Sequence, residues 1–199
     1  MTTHADQLVS IVLQLKACDR DLYDAGRDWY GIASNIAGQV GFVAAPHAGP
    51  GEQLHIGAGV IAALSPQQSW ATNQALAFKI ALHYSNGGAL ADIAIAQTGA
   101  NVLKAWSILQ GEEPLSVLGG DKVRAFYTGI RLAGRTDEVC VDRHAVAAYY
   151  LPGEATFKNL TPKRYATVAA AYRDAARRLG IPAAQCQAIV WVAWRGAAN

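Results

Sequence analysis

Two residues in this chain have side chains suited to covalent and electrostatic chemistry, Lys122 and Asp142, and they stand 20 positions apart. Lys122 lies in Leu118-Gly-Gly-Asp-Lys122-Val-Arg-Ala-Phe126 and Asp142 in Val139-Cys-Val-Asp142-Arg-His144. A lysine amine attacks a carbon as a Schiff-base nucleophile only when it is neutral. Val123, Phe126, Tyr127 and Ile130 fall at i, i+3, i+4 and i+7, which predicts a helix from near Gly120 that ends by Gly134. Lys122 then sits in its first turn, beside the apolar stripe, where the partial positive charge of the helix end favours the neutral amine. Asp142 precedes a second helical pattern, Ala145, Val146, Ala148 and Tyr149, and stands as its N-cap. Capping orients a carboxylate without using up its charge. Each residue also has an ordinary reading: Lys122 as a solvated surface lysine, Asp142 as a cap that stabilises its helix by about 1 kcal/mol.

The elements that must position this pair are helical throughout. Leu8, Ile11, Val12 and Leu15 form one stripe, and Trp29, Tyr30, Ala33, Ile36 and Ala37 a second. Pro and Gly between Ala44 and Gly51 predict a loop. Val60 to Leu64 reads as the end of a buried helix. Ser65-Pro66 reads as the cap and first turn of the next, leaving Gln67, Gln68 and Trp70 near an exposed helix end. Further helices are expected over Leu90 to Ala96 and Asn101 to Leu109, with breaks at Asn86-Gly-Gly88 and near Gly99. Thr161-Pro162 opens another and Gly180 closes it. Its off-stripe residues Lys163, Arg164, Arg173, Arg177 and Arg178 read equally as a phosphate contact or as a solvated face. The final pattern, Gln185 to Arg195, is apolar almost all round, so burial is the default for Trp191 and Trp194.

Composition narrows the class. The chain has 199 residues, 52% of them hydrophobic, enough for a continuous core in a single compact helical unit over 1–199. Its lobes are expected at 54–135 and at 1–53 plus 136–199. A net charge of +2 excludes a protein that coats nucleic acid by bulk charge, so any basic surface is local. The amino terminus lacks the pattern of a signal peptide, and no apolar run reaches about 18 residues. A cytoplasmic protein without a membrane span is the expectation. Cys18, Cys140 and Cys186 are odd in number and far apart, and read as three buried thiols. His4, His47, His55, His83 and His144 show no metal-ligand spacing, so neither metal nor cofactor is expected, and His144 reads as a positioned supporting group.

Leu118-Gly119-x-x-Lys122-Val123, then a helix, then Val139-x-Val-Asp142-x-His144, resembles the helix-hairpin-helix DNA glycosylase superfamily of endonuclease III and the 8-oxoguanine glycosylases. Leu64-Ser65-Pro66-Gln67-Gln68, with Asn73 after it, is similar to that family's Leu-Ser-x-Gln segment at the DNA interface. The matches keep the family's order and span roughly residues 54 to 151. Three features depart from it. The turn Leu118-Gly119-Gly120-Asp121-Lys122 is two residues shorter than the family's phosphate-binding hairpin and carries an acid. The cysteine cluster of the endonuclease III type is absent. Gln187-Ala-x-x-Trp191-x-x-Trp194-Arg195 has no counterpart in the repair enzymes and, with Trp29-Tyr30, resembles a bacteriophage branch assigned to pyrimidine hypermodification.

The resemblance implies an all-α, two-lobed, glycosylase-like fold with a shortened hairpin, a monomer that binds double-stranded DNA and flips a nucleotide into the cleft between lobes. It implies that Gln67, Gln68 or Trp70 fills the gap in the stack, with Asn73, Gly119, Gly120, Arg143 and His144 also on the DNA. In the glycosylase and lyase reading, Lys122 attacks C1′ and Asp142 stabilises the oxocarbenium charge of a modified pyrimidine nucleotide. In the hypermodification reading, Asp142 deprotonates an amine that replaces a pyrophosphorylated 5-hydroxymethyl group on uracil, and Lys122 or Arg143 neutralises the pyrophosphate. The third alternative is a non-catalytic DNA-binding module.

Overall fold

The computed structural model describes residues 2–154 and 159–196. The described residues form α-helices and one short 3-10 turn, with no strand, so the protein is all-α. In chain order the helices are α1 (His4–Cys18), α2 (Arg20–Ala44), α3 (Pro50–Leu64), α4 (Trp70–Ser85), α5 (Gly99–Leu109), α6 (Pro114–Val117), α7 (Asp121–Arg131), α8 (Arg143–Tyr149), α9 (Pro162–Leu179) and α10 (Ala183–Arg195). They divide into two compact units: the described residues of Met1–Gly31 with Leu132–Ala198, and Ile32–Arg131. The first of these boundaries falls inside α2.

In the first unit α1, α8, α9 and α10 share a core that includes Leu8, Val12, Val168, Tyr172, Ile189 and Val190. α1 opens on a capping box, in which Asp6 N–H donates to Thr3 Oγ1 (3.2 Å) and Thr3 N–H to Asp6 Oδ2 (2.7 Å). α9 opens on Thr161, whose hydroxyl accepts from Arg164 N–H, and closes on Gly180 in the left-handed region at φ 67°. These are the start and stop signals that the sequence carries.

The second unit is built around α3. From Gly57 to Leu64 every residue of this helix is buried, with α4, α5 and α7 packed on it. α2 crosses α3 at backbone contact. A Cβ on Gly57 would collide with the Ala37 carbonyl oxygen, and one on Gly41 with that of Gln53.

Several local expectations change. Ser65 ends α3 as its C-cap, and Ser69 caps α4, its hydroxyl accepting from Thr72 N–H at 3.2 Å. Pro66 is therefore a turn residue, because a fixed φ suits the second position of a β-turn as well as a first helical turn. The loop between α2 and α3 is shorter than Ala44–Gly51, since Pro50 already starts α3. Leu90–Ala96 is a 3-10 turn over Leu90–Asp92 followed by irregular chain. Cys18 is exposed, while Cys140 and Cys186 are buried. Trp194 is 51% exposed, and Trp191 is half-buried. No described helix is long and apolar enough to cross a membrane.

Candidate functional site

Asp142 is positioned from both sides of the chain. The approach, Val139-Cys140-Val141, is buried, and Tyr165 of α9 brackets it: its hydroxyl donates to Val139 O at 2.6 Å and accepts from Val141 N–H at 3.3 Å. Asp142 then caps α8, with Oδ1 accepting from Ala145 N–H at 2.8 Å. Its Oδ2 accepts from the indole Nε1–H of Trp191 on α10, at 3.2 Å. The carboxylate is half-buried, and two donors fix its plane.

Around that indole the unit collects aromatic rings and cations. Trp29 lies 6.0 Å from Trp191 between centroids, and His144 lies edge-on to it at 6.4 Å. The Arg195 guanidinium covers the Trp191 ring at 4.5 Å. Arg143 Nε–H donates to His144 Nε2 at 3.3 Å. Tyr30, edge-on to Trp29, donates to Gln187 Oε1 at 3.4 Å. Burial drives the Tyr30 phenol well above its ordinary range, and the nearby Cys140 and Asp142 push it further the same way. Tyr172 is raised chiefly by burial too, with smaller contributions from Cys186 and Asp142. Both phenols stay neutral beside the carboxylate.

The remaining expected site residues belong to the second unit. The four-residue α6, the turn Leu118-Gly119-Gly120 and α7 form a short helix–turn–helix. Gly120 takes φ 78°, and Arg124 Nε–H donates back to Leu118 O at 2.8 Å. Lys122 is exposed in the first turn of α7, with no side-chain hydrogen bond or ion pair to another described residue.

The turn Ser65–Gln68 closes with Gln68 N–H donating to Ser65 O at 3.3 Å. Its third residue, Gln67, is exposed at φ 64°, where glycine or asparagine is usual. A strap at residues 94–98 secures this turn. Gln97 Nε2 donates to Leu64 O (2.8 Å) and Pro66 O (3.0 Å), and Gln68 Nε2 to Ala96 O (3.0 Å). Just beyond, Trp70 meets Phe126 of α7 edge-on at 6.4 Å.

Asn73, expected on the DNA, is instead buried at 2% exposure and donates to Ile61 O at 3.1 Å. It anchors the last turn of α3. The basic flank of α9 is largely spent on carboxylates: Arg173 on Glu138, Arg177 on Asp174, and Arg178 on Asp6. A solvated, ion-paired face is what these arginines form.

The structure brings Asp142, Arg143 and His144 together with Trp191, whose role as a donor to Asp142 no local pattern in the sequence announces. It also holds a chain of polar contacts that sequence reading missed: Tyr127 OH and His55 Nδ1 share a hydrogen bond (2.8 Å), and His55 Nε2 lies 3.2 Å from the Glu113 carboxylate. Tyr127 is 2% exposed, so this chain locks α7 to α3 and offers no open nucleophile. Among the described residues no cluster of three or more His, Cys, Asp or Glu side chains is arranged to hold a metal.

Fold and site define an all-helical protein that presents a carboxylate, oriented by an indole, among aromatic and cationic side chains. The chain belongs to a family of unknown function, DUF7178, whose sequence profile matches residues 2–198. No curated protein and no solved structure matches it.

Proposed function

We propose that this protein is a DNA glycosylase-like enzyme that acts on a base, a modified pyrimidine, turned out of double-stranded DNA. The observation that carries this reading is the Asp142 carboxylate, held by two donors and flanked by the Trp191 and His144 rings. A fixed carboxylate in a partly dry setting stabilises positive charge developing on a sugar. Lys122 supplies the nucleophile. Its amine, after giving up a proton, forms a bond to C1′, and the C1′–base bond breaks with its electron pair leaving on the base. Loss of the amine proton and opening of the sugar ring then give an imine, from which strand cleavage can follow. Gln67, at the exposed apex of its turn, fills the gap in the stack with Gln68 and Trp70 beside it, and Gly119 and Gly120 present backbone to phosphate. This reading makes the protein a cytoplasmic monomer that needs no cofactor.

Borohydride trapping on DNA with an abasic site tests the proposal. A covalent adduct is expected, lost in Lys122→Ala and formed much more slowly in Asp142→Asn. Salt-dependent DNA binding with no adduct and no turnover on any modified base would make the protein a binding module only.

One observation favours a second reading, exchange of a base substituent. Trp29, Tyr30, Gln187, Trp191 and Arg195, the residues that carry the resemblance to the bacteriophage branch, gather about the Trp191 indole that bonds Asp142. Here Asp142 takes the proton of an incoming amine, while Lys122 or Arg143 neutralises a departing pyrophosphate. Consumption of pyrophosphorylated 5-hydroxymethyluracil in DNA, with no adduct trapped, would select this reading over the first.

A further inference from the structure

Several arginines of the first unit have carboxylate partners. Arg27, Arg173, Arg177 and Arg178 are ion-paired, with Asp24 and Asp28, Glu138, Asp174, and Asp6 respectively. Arg195 lies over an indole face instead and Arg143 bonds an imidazole nitrogen, and both are exposed. The Arg195 guanidinium covers the Trp191 face at 4.5 Å, and Arg143 Nε–H bonds His144 Nε2 at 3.3 Å, with His144 edge-on to the same indole. These contacts hold the cations while leaving their donors available. Stacking on a ring uses none of a guanidinium's five N–H groups, and the bond to His144 uses one. Because an arginine Nε always donates, His144 Nε2 must be the acceptor. The neutral ring therefore carries its proton on Nδ1, a further donor.

We propose that Arg143, Arg195 and the His144 Nδ1–H form a subsite for a phosphoryl anion beside Asp142. The inference rests on the reading of Asp142 as the reaction centre and adds what its substrate must carry. Two guanidiniums against one carboxylate leave a local charge of +1, enough for an anion. A carboxylate ligand offers two oxygens in one plane, whereas a phosphoryl group offers three in a tetrahedral array and more negative charge, which suits two guanidiniums and an imidazole better. The anion has two possible sources, a backbone phosphodiester of DNA or a phosphoryl group on a small molecule or base substituent.

The test uses the full chain with Arg143→Gln, Arg195→Gln and, as a control for net charge, Arg177→Gln, whose arginine is already spent on Asp174. Affinity for a short DNA duplex is measured against salt, and binding of inorganic pyrophosphate by calorimetry. If the anion is a backbone phosphate, each of the first two variants lowers the slope of log K against log salt by about 0.9, and the control does not. If it is a separate phosphoryl group, the slope holds and each variant weakens pyrophosphate binding about tenfold or more. Arg195→Lys keeps the charge and the ring contact but lacks the fork, so it should preserve the slope and still weaken pyrophosphate. Pyrophosphate binding without duplex binding would retire the DNA reading and leave the subsite standing. No effect of either variant, or an equal effect of Arg177→Gln, would overturn the proposal.

Discussion

Asp142→Asn separates the two tasks of this carboxylate. Asparagine caps a helix as well as aspartate does, so the bond from Ala145 N–H survives. The other oxygen, which accepts from Trp191 Nε1 at 3.2 Å, becomes an NH2 group facing a second donor. A hydrogen bond to a charged group contributes about 1.5–3 kcal/mol, and an unmet buried donor costs about 1–3. Half-burial of the pair puts the expected loss of unfolding free energy near the low end, about 2 kcal/mol. Trp191→Phe removes the indole donor. In the native background it costs the same bond. In the Asp142→Asn background it relieves the conflict between two donors, so the cycle should show a coupling of about 1.5 kcal/mol. Urea denaturation of the four proteins at pH 7, followed by far-ultraviolet circular dichroism, gives the numbers. Additivity to within about 0.5 kcal/mol would refute the bond between Trp191 and Asp142. Because the cap survives in Asp142→Asn, lost turnover in that variant reports on charge and not on an unravelled α8.

Other expectations follow from the packing and ionisation. Gly57→Ala should destabilise by more than about 3 kcal/mol and lower Tm by 10 °C or so, since its Cβ meets a carbonyl oxygen across the α2–α3 crossing; a near-native melting curve would contradict that crossing. Gln67→Gly removes about 1–2 kcal/mol of left-handed strain against about 0.5–1 of added chain entropy, so Tm should rise by about 2 °C while DNA affinity falls. A loss of Tm with unchanged affinity would show that the side chain is there for the fold. Burial pushes the Tyr127 phenol up to about 12, so between pH 10 and 12 the unfolded chain loses a proton that the folded chain keeps. Stability is full below pH 10 and falls by up to about 1.4 kcal/mol per pH unit above it; Tyr127→Phe should flatten that fall in urea titrations, and an unchanged slope would contradict it. A thiol reagent at pH 8 should modify Cys18 alone in the native protein and all three cysteines in urea, because Cys140 and Cys186 are buried and burial raises the Cys186 thiol to about 12.

The sequence made the helix ends legible where a single side chain decides them. Asp142 and Thr161 cap as their types require, and Gly180 stops α9. It misled where one residue type serves two local geometries: Pro66 fits a β-turn as well as a helix start, and Ser69, three residues on, is the cap. Pairings over long separations were beyond local reading. The Trp191–Asp142 bond spans 49 residues and the Tyr127–His55 bond 72, and only tertiary packing chooses them. Asn73 illustrates the same limit, because the segment's resemblance placed it on the DNA and a carbonyl of α3 claimed it.

The boundary inside α2 bears on how the chain is made. Ile32–Arg131 is one uninterrupted stretch, whereas the unit that holds Asp142 needs segments from both sides of it. A ribosome therefore releases everything required for α3 and its neighbours before α8, α9 and α10 have emerged. Joining α1 to α9 closes a loop of more than a hundred residues, at an entropic cost that grows with the length still disordered. A middle stretch that has already folded shortens that loop. Vectorial synthesis thus favours completing the Lys122 unit first and the Asp142 unit last, so the carboxylate and its indole partner come together at the final stage of folding.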